Sequence, residues 1–116
     1  MRTLLLLLLP TACATPVTPD ARYFGSLTPT APSDLCKPGK AALRLQDGKA
    51  LFIPDETTWT LTGTASATGS VQAKRIEAGA SKQPYATQLS GTWTAKTASG
   101  TYTTPRCTYA VQLTRY

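Results

Sequence analysis

The chain has 116 residues, carries twelve lysines and arginines against six acids for a net charge of +6, and contains no histidine. That length bounds the molecule to one ordinary domain. The missing imidazole removes the commonest general base and the ligand that a mixed cysteine and histidine zinc site needs, while the basic excess directs attention to acidic partners.

Met1 and Arg2 give a basic start, Leu4 to Leu9 an apolar run, and Ala12 a small residue before Cys13. This is the three-part plan of a secretory signal. The run is too short for a membrane-spanning helix, which needs about 20 apolar residues. Pro10-Thr11-Ala12-Cys13-Ala14 resembles the lipobox of bacterial lipoproteins, with Pro10 standing where leucine is typical. The resemblance implies a signal peptide over residues 1–12 and a lipidated Cys13, palmitate included, as the new N-terminus. Ordinary cleavage after Ala12-Cys13-Ala14 is the alternative, and it would release a secreted protein lacking Cys13. Both routes export the chain. By the same resemblance, Ala14 after the cysteine fits an outer-membrane anchor facing the periplasm.

Residues 13–35 are expected to form the lipidated N-terminus and its tether. Ala14 to Ser33 is rich in proline and threonine and lacks apolar periodicity, as extended linkers do. Tyr23-Phe24 beside Arg22 is the exception, expected to dock on the domain or to add an edge strand. The domain proper is assigned to residues 36–116. In an oxidising compartment Cys36 and Cys107 read as a disulfide, and closing so long a loop stabilises a fold by about 4 kcal/mol in the chain-entropy treatment. A domain this small benefits from such a staple.

From Lys40 onward the apolar period is two. Ala41, Leu43 and Leu45 alternate with Ala42 and Arg44, Asp47-Gly48 predicts a two-residue hairpin turn, and Leu51 with Ile53 is expected to resume the apolar side. Trp59, Leu61, Gly63 and Ala65 alternate with threonines, Thr68-Gly69 predicts a turn, and Val71 and Ala73 mark a further strand. A loop is expected from Glu77 to Pro84. Tyr85, Thr87, Leu89, Gly91, Trp93 and Ala95 then share one face, Ser99-Gly100 predicts a turn, and Cys107, Tyr109, Val111, Leu113 and Arg115 share the face of the last strand. LTGTAS at 61–66 and LSGTWT at 89–94 form a weak repeat whose glycines suggest sharp bends in a curved sheet. The predicted fold is an all-β antiparallel meander of about seven strands, closed as a small barrel or flattened sandwich.

Little in this scaffold suggests catalysis. Ser70 and Lys74 lack a motif, and the acids Asp47, Asp55, Glu56 and Glu77 all fall in predicted turns or loops. A noncatalytic protein is expected, with no cofactor and no metal. The basic residues are scattered, and only Lys74 and Arg75 adjoin. Trp59 and Trp93 have the shape to stack on sugar rings, although their leucine neighbours favour a core role. Trp59, Lys74, Arg75 and Trp93 are therefore the candidate ligand-binding residues. An anionic envelope glycan or lipid is the expected partner, whereas nucleic acid is not, because the tryptophans lie on the apolar side of their strands and are not interleaved with exposed basics. The expected function is that of a small envelope lipoprotein, a membrane-tethered β module that binds or supports an envelope component. The alternative is a periplasmic inhibitor or ligand-binding protein. Small disulfide-bonded barrel lipoproteins that inhibit lysozyme are similar in size and layout, but a domain at +6 would repel a basic lysozyme.

Overall fold

The computed structural model describes residues 20–54, 60–78 and 84–116. Eight strands follow one another as β1 (Ala21–Pro29), β2 (Gly39–Gln46), β3 (Lys49–Pro54), β4 (Leu61–Ala65), β5 (Ser70–Ala78), β6 (Pro84–Trp93), β7 (Thr97–Thr103) and β8 (Thr108–Arg115). Each pairs antiparallel with the next, and β1 pairs with β8, so the sheet closes into a barrel. The count is one more than the sequence predicts, and the extra strand is β1.

That strand corrects the tether. Residues 21–29 show no helical or long apolar signal, yet Ala21, Tyr23, Leu27 and Pro29 are buried at period two. The interruption is Gly25, which breaks the apolar alternation and so hides the strand in the sequence. A Cβ there would lie 2.8 Å from Leu113 Cα. Of the two readings offered for Tyr23-Phe24, the added strand is the one found, although β1 closes the barrel and leaves no edge. Cys13 and the rest of residues 1–19 lie outside the described residues.

Register explains a second correction. Asp47 and Gly48 both adopt positive φ, 53° and 79°, as a two-residue type I′ hairpin requires. The turn pairs Gln46 with Lys49 and Leu45 with Ala50. Residues directly opposite share a face, so Ala50, Phe52 and Pro54 point inward while Leu51 and Ile53 are exposed. The hairpin length outweighs hydrophobicity here.

The predicted turn at Ser99-Gly100 is also replaced. Both residues lie inside β7, where Gly100 pairs with Gly91, and the chain reverses at Thr94–Lys96 instead. Thr94 Oγ1 accepts hydrogen bonds from the backbone N–H groups of Lys96 and Thr97 at 3.2 and 3.0 Å, so a threonine hydroxyl makes the turn that glycine was expected to make. Glu77 falls within β5, not in a loop. The repeat glycines do sit where the sheet bends: a Cβ on Gly63 would lie 2.6 Å from Ala73 Cα, and one on Gly91 2.8 Å from Gly100 Cα. Neighbouring strands approach there too closely for any side chain.

The interior is filled by one cluster in which Tyr23, Phe52, Leu45, Leu61 and Val111 are the largest fully buried side chains. The antiparallel meander places the β2–β3, β4–β5 and β6–β7 turns at one end of the barrel. Cys36 and Cys107 lie at the other end, joined by the expected disulfide. Each cysteine closes a tight turn of the same design. Ser33 and Cys36 exchange backbone hydrogen bonds, and the Cys36 N–H also reaches Ser33 Oγ at 3.2 Å. The Thr104 N–H donates to the Cys107 carbonyl at 2.8 Å, and the Cys107 N–H donates to Thr104 Oγ1 at 2.9 Å. The two halves of the disulfide are thus positioned by local chemistry.

Candidate functional site

An eight-stranded barrel has an interior just wide enough to be filled by side chains or to hold one small ligand. This barrel divides that space by end. At the end carrying the β2–β3 turn, the Tyr23 hydroxyl donates to the Thr94 carbonyl at 2.6 Å and Trp93 Nε1 donates to the Ser66 carbonyl at 3.0 Å. These two rings tie β1 and β6 to the turns and seal the end. Burial pushes the Tyr23 phenol above its ordinary pKa, with the Arg115 charge opposing the shift.

The disulfide end is open. A cavity of about 290 Å³ there is lined by Leu27, Pro54, Tyr85, Thr87, Tyr102 and Tyr109, among others, with Lys37, Thr104 and Pro105 at its margin. Its floor is aromatic. Tyr102 stacks on Tyr109 with ring centroids 5.6 Å apart and planes inclined by 24°, and meets Phe52 edge-on at 5.3 Å. Thr87 is the buried polar side chain among the described residues, and its hydroxyl reaches the Arg75 carbonyl only at 3.5 Å. It therefore keeps hydrogen-bonding capacity directed at the cavity.

Of the four residues singled out in the sequence, the three that are described are not brought together. Trp93 plugs the sealed end. Trp59 lies outside the described residues. Lys74 and Arg75 adjoin in sequence but alternate across β5: Lys74 is exposed on the outer surface, beside Thr62 and Gln88 in a shallow groove. Arg75 continues the inward register of Val71 and Ala73 and pairs with Thr87. Among the described three, Arg75 is the one whose backbone position adjoins the open mouth.

The mouth tyrosines escaped the sequence reading. Tyr85, Thr87 and Tyr109 all fall on predicted inward faces, but an inward residue is ordinarily core. The usable signal is their position at strand ends. Tyr85 and Tyr109 are each the second residue of their strands, β6 and β8, where inward side chains meet the opening and not the packed centre. Among the described residues, no group of three cysteine, aspartate or glutamate side chains converges as a metal site. Comparison of the chain with protein-family models, with curated proteins and with solved structures yields no match.

Proposed function

We propose that the chain is a noncatalytic cell-envelope lipoprotein, anchored through Cys13, whose barrel binds a sugar unit of an acidic envelope glycan in its open mouth. The observation that carries this reading is the one-ended interior: Tyr23 and Trp93 close one end while Tyr85, Thr87, Tyr102 and Tyr109 line a cavity at the other. Concave sites that mix apolar faces with a few placed polar groups are the usual form of a small-ligand site. Tyrosine rings offer flat apolar faces to the C–H side of a sugar, and the Thr87 and Thr104 hydroxyls suit its alcohols. Lys37 at the margin supplies a positive charge for an acidic substituent. The described part of the cavity lining contains no carboxylate, and the chain has no histidine. Both facts favour binding over general acid–base chemistry.

Titration with a uronic-acid disaccharide and with its neutral reduced analogue, followed by backbone amide NMR shifts, tests the proposal. The expected result is saturable shifts clustered at Tyr85, Thr87, Thr104 and Tyr109, larger for the acidic sugar and abolished by Tyr109→Ala. Shifts scattered over the outer surface, or none, would refute it.

A further inference from the structure

The outer surface of the barrel varies from strand to strand, and β5 contributes one exposed large apolar side chain, Ile76. On β6, β7 and β8 the outward residues are serine, threonine and glutamine, with Pro84, Ala86 and Ala110. On β1, β2 and β3 the register builds two adjoining rows instead. One row runs Thr114, Phe24, Ala42, Ile53 and the next runs Arg22, Arg44, Leu51. Phe24 and Leu51 are exposed, and Tyr116 covers one edge of Phe24 with ring centroids 6.3 Å apart. Arg44 is only loosely neutralised, because its Nε stands 3.7 Å from Asp20 Oδ1, too far for a hydrogen bond. Large apolar side chains interleaved with arginines on one face form the composition of an interfacial membrane-binding surface.

We infer that this face of β1–β3 rests on an anionic lipid bilayer, so that the barrel lies against the membrane and does not hang free from its anchor. The inference rests on the anchored reading for where the bilayer is. Cys13 precedes Ala21 by eight positions in the sequence, and a chain extends at most about 3.4 Å per residue, so the start of β1 stays within roughly 27 Å of an acylated Cys13. The patch begins at Arg22, next to that attachment. A second copy of the chain is a poor occupant, since Arg22 and Arg44 are cross-strand neighbours and an isologous contact would set like charges against one another.

The test uses the full chain carrying Cys13→Ser, which removes acylation, and vesicles of phosphatidylcholine with and without phosphatidylglycerol. Co-sedimentation should favour the anionic vesicles and fall with salt. Arg22→Gln with Arg44→Gln should weaken partitioning by about 30-fold, at the usual increment per basic residue near an anionic surface. Phe24→Ser with Tyr116→Ser should weaken it without changing the salt dependence. Lys74→Gln with Arg106→Gln removes the same charge elsewhere and should have a far smaller effect, and near-ultraviolet circular dichroism checks that each variant is folded. Equal partitioning onto both vesicle types, equal loss in the Lys74 and Arg106 control, or a sedimentation-velocity dimer abolished by the Arg22 and Arg44 changes would overturn the inference. Because acylation is absent throughout, such a failure would leave the anchored, glycan-binding reading to stand or fall by its own measurements.

Discussion

The Tyr23 hydroxyl donates to the Thr94 carbonyl at 2.6 Å across 71 positions of sequence. This contact joins the first strand of the barrel to the β6–β7 turn and completes the seal at one end. Tyr23→Phe removes the donor and leaves a part-buried carbonyl unsatisfied, which should cost about 1–2 kcal/mol in urea unfolding. The pH dependence has a definite sign. Burial raises the phenol pKa above its ordinary value of 10.0, against the opposing Arg115 charge, so the fold favours the neutral form. That contribution is fully present below the unfolded value and is lost as pH rises through the higher folded value. Stability should therefore drop on the alkaline side of pH 10, and by less in Tyr23→Phe than in the parent. Equal alkaline losses would show that Tyr23 is not the group responsible.

The disulfide spans 71 positions between two hydroxyl-anchored turns. Cys36→Ser with Cys107→Ser should lower unfolding free energy by about 4 kcal/mol, the chain-entropy value for a loop of this size. Thr104→Val should reduce stability by about 1 kcal/mol with the disulfide intact, since it deletes the acceptor for the Cys107 N–H. Denaturant curves of the oxidised protein and both variants, superimposed within error, would contradict the account.

The hairpin register makes adjacent residues unequal. Phe52 is fully buried and Leu51 is 39% exposed, so Phe52→Ala should cost about 3–5 kcal/mol while Leu51→Thr stays within roughly 0.5 kcal/mol. Thermal melts of the two variants decide the matter, and a reversed order would mean that β3 faces the other way.

The sequence shows the class of fold through period two, and the inward faces of β2, β4, β5, β6 and β8 are legible in the alternation around Leu43, Leu61, Val71, Leu89 and Val111. It misleads where a local rule competes with hydrophobicity. Leu51 and Ile53 are more apolar than Ala50 and Pro54, yet the Asp47-Gly48 turn fixes which pair faces inward. Ser99-Gly100 looks like a turn, but the glycine is required for close strand approach beside Gly91. β1 is masked by Gly25 and by the prolines around it. The mouth is the least legible part, because stacking of Tyr102 on Tyr109 depends on where β7 and β8 end relative to one another, a property of barrel closure and not of any single segment.

The proposed function rests on export followed by anchoring at Cys13, from which an oxidising environment, a short reach from anchor to β1 and an envelope ligand would follow. Intact-mass measurement of the protein purified from its native host, before and after reduction, tests it most directly. The account predicts a species that begins at Cys13, carries acyl chains, and gains two hydrogens when the Cys36–Cys107 bond is reduced. A species that retains Met1, carries no lipid and does not change on reduction would contradict it.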